Sequence, residues 1–291
     1  MSTSNLPLTR AARSLPPHAW FAVSAVFHYL GPSFAVLLFP SIGVLGVAWL
    51  RIASAAAAFA PLTKPWQTLI AADADTRIRL LALGACLAVM NSAFYLALDR
   101  LPMSLVAAIE FVGSIGIALY GIRTARNLAA LGMAMLGVFL LIDVRWSSDP
   151  LGLFWALING AMFIAYIVLG HKISANGANA GVERLGAAMA LAFVFVTPIG
   201  FLEALTAFGS PKLMLAGIGV GICSSVIPYV CDQLSMSRLP RASFALLLAL
   251  LPATATTVAL IVLAQVPTGR DLVGVILVMI GVAIHTPAEP R

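Results

Sequence analysis

The sequence predicts an all-α integral membrane protein whose ten transmembrane helices form two inverted five-helix repeats. Composition, a series of apolar runs and motifs that recur in both halves support this fold class. Of the 291 residues, 61% are hydrophobic and 10% are charged, whereas a soluble domain normally carries about 25% charged residues. Such a chain cannot bury its apolar side chains in a soluble core, so we expect its solvent to be the lipid bilayer.

The apolar runs predict the individual spans, because a hydrocarbon slab of roughly 30 Å needs about 20 apolar residues per helix. Spans 1 to 10 are predicted at approximately 18–39, 43–61, 78–98, 103–121, 127–143, 150–170, 183–203, 212–236, 241–264 and 271–286. The first run is too long for a signal peptide, so we expect it to remain as span 1. Only residues 40–42 separate it from span 2, which requires a tight hairpin.

The basic residues predict the orientation, because Lys and Arg concentrate in cytoplasmic loops. Alternate loops carry twelve and four of them. The twelve are Arg10, Arg13, Lys64, Arg77, Arg79, Arg123, Arg126, Lys172, Arg184, Arg238, Arg241 and Arg291, and the four are Arg100, Arg145, Lys212 and Arg270. Both termini are therefore expected in the cytoplasm of a bacterium, with the protein in the inner membrane. These charges stand singly or in pairs and form no basic stripe, which argues against nucleic acid as a partner.

Short motifs recur in the two halves. Arg100-Leu101-Pro102 before span 4 returns as Arg238-Leu239-Pro240 before span 9, and Leu136-Gly137-Val138 in span 5 returns as Ile280-Gly281-Val282 in span 10. An odd number of spans per repeat turns the second copy upside down. The predicted parts are a tail at 1–17, repeats at 18–143 and 150–286, and a tail at 287–291. Duplication within one chain makes a monomer sufficient, and a homodimer stays open.

Three charged residues lie within predicted spans and not among the first or last two residues of a span. A charge near the bilayer centre costs about 2.5 to 3.5 kcal/mol on insertion scales and so marks a candidate site. Arg51 in span 2 and Glu110 in span 4 lie at comparable depth, which allows an ion pair. Arg51 has a structural interpretation, by snorkelling or pairing, and a functional one, by meeting substrate. Burial favours the neutral form of a carboxylate, so Glu110 is predicted to exchange a proton during transport.

Asp232 near the end of span 8 is either a site residue or a solvated residue at the helix end. Pro228, one turn earlier, can free a backbone carbonyl within the membrane. Asn91, Tyr95, Tyr229 and Tyr29 complete the set of candidates for substrate binding or coupling. For Asn91 the alternative is a hydrogen bond between helices, and Gly217 with Gly221 forms a GxxxG pair typical of helix contact.

The sequence does not favour an enzyme, a metal site or a bound cofactor. Cys86, Cys223 and Cys231 lack metal-ligand spacing. His28 and His171 have no HExxH, GxSxG or phosphate-binding loop around them, although a spatial pairing of His28 with a serine stays open. We therefore expect transport to draw on the proton gradient rather than on a nucleotide.

Several passages resemble the EamA-type branch of the drug/metabolite transporter superfamily. They are Trp49-Leu50-Arg51, Lys64-Pro65-Trp66, Met90-Asn91 with Phe94-Tyr95-Leu96, Ala108-Ile109-Glu110-Phe111, and Pro228-Tyr229 through Arg238-Leu239-Pro240. The resemblance implies an inverted-repeat exporter of amino acids or related small metabolites in the inner membrane, with roles for Arg51, Glu110 and Asp232. Leu251 before Pro252 and Gln265 after Ala264 stand where many relatives have Glu. Efflux of drugs or lipophilic cations, and a non-transporting accessory role, are the alternatives.

Overall fold

The computed structural model describes residues 15–110, 124–143, 149–174, 178–239, 247 and 251–284, and every regular element in these ranges is helical. The helices are α1 (Pro17–Ile42), α2 (Val44–Thr63), α3 (Pro65–Ala71), α4 (Ala74–Leu98), α5 (Ala125–Asp143), α6 (Pro150–Ser174), α7 (Ala178–Phe208), α8 (Pro211–Gly221), α9 (Ile227–Met236), α10 (Leu251–Leu263) and α11 (Gly269–Ile284). Residues 103–110 are also helical. The predicted tail 287–291, residues 1–14, residues 111–121 of span 4, and residues 241–246 and 248–250 of span 9 lie outside the described residues.

Among the described residues, six helices have the length and composition to cross a membrane. They are Pro17–Ile42, Val44–Thr63, Ala74–Leu98, Pro150–Ile173, Ala180–Phe208 and Pro211–Met236, the last being α8 and α9 joined by a turn. They correspond to predicted spans 1, 2, 3, 6, 7 and 8, which are thereby confirmed. Helices α5, α10 and α11 lie at the positions of spans 5, 9 and 10. The protein is therefore a multi-pass helical membrane protein.

The tight hairpin between spans 1 and 2 is confirmed, since Gly43 alone separates α1 from α2. Gly43 has φ 91°, a backbone conformation that glycine adopts without steric cost. The carboxylate of Glu203 in α7 accepts a hydrogen bond from the backbone N–H of Gly46 at 3.0 Å. Helix N-termini favour negative charge because their first N–H groups lack intrahelical acceptors, so a side chain of α7 caps α2.

The apolar runs did not predict α3, a seven-residue helix within the connection between spans 2 and 3. It begins at Pro65, a residue suited to the first turn of a helix. Its Trp66 and Ile70 are 60% and 79% exposed.

Helices from the two predicted halves pack mainly against each other. The pairs with extensive contact include α2 with α7, α5 with α11, α4 with α6 and α1 with α9. Small residues allow the backbones to approach: a Cβ on Gly46 would lie 2.8 Å from the backbone N of Ala204, and one on Gly281 2.6 Å from the carbonyl of Ala130. Close packing of small residues is the usual way in which membrane helices associate.

The arginines of the two recurring Arg-Leu-Pro motifs hold opposite ends of the bundle. Arg100 forms an ion pair with Asp149, directly before α6. Arg238 donates a hydrogen bond to the backbone carbonyl of Leu15, directly before α1, at 2.9 Å. Each motif therefore fastens the start of the first helix of the other half.

The Arg100–Asp149 pair gives the protein an acid-sensitive contact outside the membrane-spanning helices. The hydrogen bond from Arg100 lowers the pKa of Asp149 below its ordinary value of 3.8. A carboxylate with a lowered pKa in the folded state stabilises the fold above its ordinary pKa and loses that contribution as the pH falls. We expect Asp149→Asn to lower the unfolding temperature in detergent slightly at pH 7, and the difference from wild type to vanish as the pH falls below 3.8.

The matched control is Asp99→Asn, which removes a neighbouring exposed carboxylate and should leave the unfolding temperature close to that of wild type. A difference between Asp149→Asn and wild type that is equally large in acid would show that the ion pair is not its source.

Candidate functional site

A small polar cavity lies between the helices of the two halves. Its lining comes from α1, α2, α4, α6, α9 and the helical segment 103–110: His28, Arg51, Met90, Asn91, Phe94, Glu110, Asn159 and Tyr229. We call it the central cavity. Arg51 and Glu110 are 3% and 2% exposed, so a positive and a negative charge are both removed from water in this cavity.

The guanidinium of Arg51 is held by the turn between α8 and α9. Its Nε donates to the hydroxyl of Ser225 at 2.8 Å, and its Nη2 donates to the carbonyl of Ser224 at 2.9 Å. The guanidinium carbon lies 5.2 Å from the ring centroid of Tyr95, a cation–π distance. The buried Nη1 has no hydrogen-bond partner among the described residues. Buried polar atoms are usually satisfied, so this nitrogen is available to a ligand or water.

The sequence of α8 and α9 explains why a backbone carbonyl is available to Arg51. Residues Ile222–Val226 form a wide turn of π-helix between the two helices, a feature that frequently marks functional sites. Pro228 has no N–H, so the carbonyl of Ser224 lacks its usual α-helical donor at that position. Arg51 supplies a donor in its place. Pro228 was predicted to free a backbone carbonyl. That carbonyl, of Ser224, accepts a hydrogen bond from the buried arginine.

Glu110 is hydrogen-bonded to the side-chain amide of Asn159 in α6 and not to Arg51. Its Oε1 accepts a hydrogen bond from Nδ2 of Asn159 at 3.3 Å. Its Oε2 and the Oδ1 of Asn159 are buried without partners among the described residues. The direct ion pair that the equal depth of Arg51 and Glu110 allowed does not form. Instead, both charges line the same cavity and each keeps an unpartnered polar atom.

The predicted polar and aromatic candidates take different positions around this cavity. The Tyr229 hydroxyl donates to Oδ1 of Asn91 at 3.2 Å. Asn91 therefore makes a hydrogen bond between helices, which was the alternative to a site role, and it also lines the cavity. Tyr95 lies under Arg51, and Tyr29 contacts His28 edge-on with 5.3 Å between ring centroids. The hydroxyls of Tyr95 and Tyr29 are buried and have no partner in the described ranges.

Asp232 lies outside the central cavity, in a second buried chamber. It is 6% exposed, so the interpretation as a solvated residue at the helix end is wrong. Its carboxylate accepts hydrogen bonds from the Ser24 hydroxyl at 2.5 Å and from the Tyr166 hydroxyl at 3.5 Å. Leu251, where the resemblance implies a Glu, lines the same chamber. The missing acid would therefore have faced Asp232 rather than Glu110.

Sequence reasoning missed Asn159, which holds Glu110, and Ser24 and Tyr166, which hold Asp232. It considered His28 only as a catalytic residue. The signal that selected Asn91, a polar side chain within an apolar span, applies equally to Asn159 and His28.

The GxxxG pair in α8 positions Arg51 through backbone contact. A Cβ on Gly217 would lie 2.7 Å from a methyl carbon of Leu50, and one on Gly221 would lie 2.7 Å from the carbonyl of Arg51 and also meet the hydroxyl of Ser54. Both glycines thus face α2, the helix contact that their spacing predicts. Ser54 is itself fixed by a hydrogen bond from its hydroxyl to the carbonyl of Leu50 at 2.6 Å.

We therefore expect Gly221→Ala to destabilise the protein by about 1–3 kcal/mol, the usual cost of overpacking, and to impair transport. Gly219→Ala is the matched control on the same helix, since a Cβ there would meet no atom within 4 Å. Thermal unfolding in detergent measures the effect. Equal unfolding temperatures for the two variants would contradict the packing of α8 on α2.

A multi-pass helical bundle with charged groups buried between its helices is the architecture of a membrane transporter. Comparison with known proteins agrees. The family model described as EamA-like transporter family matches residues 150–286. The threonine/homoserine exporter RhtA of Escherichia coli (strain K12) is 32% identical over 245 residues, covering 83% of this chain and 81% of the exporter. RhtA of Salmonella typhimurium (strain LT2) is 29% identical over 267 residues, covering 90% and 89%.

The chain belongs to the EamA-like transporter family, within the drug/metabolite transporter superfamily. It is a transporter and not an enzyme. A solved crystal structure of a protein has the same fold, with a TM-score of 0.63 and 16% identity, covering 91% of this chain and 96% of that one.

Proposed function

We propose that the protein is an inner-membrane secondary transporter that exports zwitterionic amino acids or closely related small metabolites in exchange for protons. The observation that carries the proposal is the central cavity, where Arg51 and Glu110 are both buried but not paired with each other. A buried charge is costly unless it is compensated. A ligand with one negative and one positive end compensates both.

The unpartnered atoms indicate how such a ligand would bind. The carboxylate of the substrate would accept hydrogen bonds from Nη1 of Arg51, and its ammonium group would donate to Oε2 of Glu110. The unpartnered Oδ1 of Asn159 would accept from a second donor of the substrate. Charge-assisted hydrogen bonds are about twice as strong as neutral ones, so an amino acid would gain most of its affinity from its backbone charges.

Proton coupling follows from competition for Glu110. The carboxyl group would carry a proton when the cavity is empty, because burial favours its neutral form. It would release that proton when the ammonium group binds. Substrate and proton would then occupy Glu110 alternately, which is the requirement for antiport. One charge moved across 100 mV is worth about 2.3 kcal/mol, enough to sustain a useful gradient.

The packing of the helices supports the ten-span inverted repeat, with both termini in the cytoplasm, as the framework for this exchange. In such a repeat, spans 1 to 5 are equivalent to spans 6 to 10. Helices α1 and α9 belong to spans 1 and 8, whose equivalents are spans 6 and 3, which are α6 and α4. The contact of α1 with α9 therefore corresponds to the contact of α6 with α4. The contacts of α2 with α7 and of α5 with α11 map onto themselves. The ends held by Arg100 and Arg238 are exchanged in the same way. Two equivalent halves can open alternately to either face around a central site.

The exporters of threonine and homoserine among the relatives make these two amino acids the first substrates to test. Cells expressing this chain would be loaded with labelled threonine, homoserine and a panel of other amino acids, and efflux would be followed with and without a protonophore. Export of one amino-acid class that the protonophore abolishes would support the proposal. Absence of export by well-inserted protein would overturn it.

Two further measurements separate the alternatives, drug efflux and an accessory role. A pump for lipophilic cations would place its substrate beside the buried guanidinium of Arg51, which repels a cation, so the cavity favours a zwitterion. Growth protection against cationic drugs without amino-acid export would nevertheless identify such a pump. Proteoliposomes that show no flux of either class would indicate an accessory protein.

A further inference from the structure

We propose that the chamber around Asp232 is a separate proton-binding site, and that His28 carries protons between it and the central cavity. This inference deepens the proposed function and rests on it for the direction of proton flow. In this scheme Asp232 binds a proton and does not contact the substrate. His28, absent from the predicted site residues, becomes the link between two cavities.

The two cavities share one residue in the part of the chain that the structure describes. The lining of the second chamber includes Phe21, Ser24, His28, Phe163, Tyr166 and Asp232. Of its lining residues, His28 alone also lines the central cavity. Among the described residues, His28 is therefore the side chain that a proton moving between Glu110 and Asp232 would meet in both cavities.

The chemistry of the chamber suits a proton better than an amino acid. Its lining includes one carboxylate, two hydroxyls that donate to it, and otherwise mainly aromatic and aliphatic side chains. No Lys or Arg is among the described lining residues. The carboxylate of a zwitterion would find no fixed cation there, whereas Arg51 provides one in the central cavity. Proton binding removes the charge of Asp232, whose burial is otherwise costly.

The geometry of His28 suits a relay. Its ring packs edge-on against Tyr29 and Phe163, with centroid distances of 5.3 and 6.1 Å. Neither ring nitrogen is hydrogen-bonded to another described residue, and the side chain lines both cavities. Imidazole accepts a proton on one nitrogen and releases one from the other. The titratable groups that face it are Arg51, Glu110 and Tyr229 on the central side, and Tyr166 and Asp232 on the chamber side.

The relay moves one proton per cycle. When a substrate ammonium group binds to the Glu110 carboxyl group, Glu110 gives its proton to the unprotonated nitrogen of His28. The resulting imidazolium loses the proton of its other nitrogen to the Asp232 carboxylate, so that one proton has moved from Glu110 to Asp232. Asp232 lies four residues, or about 6 Å, from the end of α9, on the side predicted to face the cytoplasm. Protons would therefore leave inward while substrate leaves outward.

The experiment uses the full-length protein in proteoliposomes with two flux measurements. Counterflow follows exchange of labelled amino acid at equal pH, and driven flux follows its accumulation against a pH gradient. His28→Phe keeps the ring packing and removes both nitrogens, and Asp232→Asn removes the proton site. We expect both variants to lose driven flux by about 10²-fold, the usual contribution of a positioned proton-transfer group. Asp232→Asn should keep counterflow, whereas His28→Phe, which also alters the lining of the central cavity, should lose less counterflow than driven flux. His18→Phe, an exposed position on the same helix, should change neither flux.

Driven flux that is undiminished in either variant, or counterflow that Asp232→Asn loses to the same extent as driven flux, would overturn the inference. A third measurement does not depend on the substrate. Infrared difference spectra of the substrate-free protein between acid and alkaline pH should contain a protonated-carboxyl band that disappears in Asp232→Asn and titrates at a shifted pH in His28→Phe. A wild-type spectrum without an Asp232-dependent band would overturn the proton site even if amino-acid export is established. Conversely, the band would support the site even if the transported molecule proves not to be an amino acid.

Discussion

We expect the Glu110→Gln variant to lose proton-driven export entirely while it still inserts and folds. Glutamine has nearly the same shape and can keep the hydrogen bond to Asn159, but it carries no exchangeable proton and cannot balance an ammonium group. Unlike Asp232→Asn, which should spare exchange at equal pH, Glu110→Gln should also weaken substrate binding, because one side chain serves both steps. Export from loaded cells and counterflow in proteoliposomes measure the two effects separately.

The matched control for Glu110 is Glu183→Gln in α7, which removes a carboxylate that is not part of either cavity lining. This control should export at a rate near that of wild type. Undiminished protonophore-sensitive export by Glu110→Gln would exclude Glu110 as the coupling residue. Normal amounts of both variants in the membrane are required for the comparison.

The second large effect is expected at Arg51. Arg51→Gln removes the charge that would hold the substrate carboxylate, and losing one partner of a buried charge pair costs about 2–5 kcal/mol, which corresponds to a roughly 30-fold or larger loss of affinity. Arg51→Lys keeps the charge, yet a single ammonium group cannot reproduce the planar fork that reaches Ser225, the Ser224 carbonyl and the cavity at once. We expect an intermediate loss, of about tenfold. The half-saturating substrate concentration for export measures both.

Arg79→Lys provides the control for Arg51, since Arg79 lies in an exposed ion pair with Asp75 on its own helix. Exposed pairs of this kind contribute little, so export should be unchanged. If Arg51→Lys and Arg79→Lys had the same half-saturating concentration, Arg51 would be a structural residue and the carboxylate of the substrate would bind elsewhere.

The spans were predictable because bilayer thickness imposes a long apolar run on each crossing helix. The predicted span 78–98, for example, became the helix Ala74–Leu98. The residues at its ends were less predictable, since Asp73 begins α4 by accepting from the N–H of Thr76, a local cap with no hydrophobic signal. Helix α3 escaped prediction for a related reason, because seven residues are too few to form an apolar run.

The charged residues of the candidate site could be predicted from the sequence, but the residues that hydrogen-bond to them could not. Arg51 and Glu110 stand out in the sequence because isolated charges are rare in lipid. Arg51 is hydrogen-bonded to Ser225, and Glu110 is hydrogen-bonded to Asn159. These partners depend on which helices cross at that depth, and one sequence does not specify those crossings. The burial of Asp232 has the same origin, since it requires Ser24 of α1 and Tyr166 of α6 to reach it.

The hydrogen bond between Arg51 and the Ser224 carbonyl joins ligand recognition to the winding of the helix that contains Pro228. A substrate that draws the guanidinium toward itself weakens this bond and leaves the carbonyl free to seek another donor, which favours a different local winding. Thermodynamic reciprocity requires the converse, so that the winding that substrate favours must also bind substrate more tightly. Under the proposed function, the arginine would therefore be both a ligand-binding group and a mechanical linkage, and filling the cavity would change the force on the helix beside it.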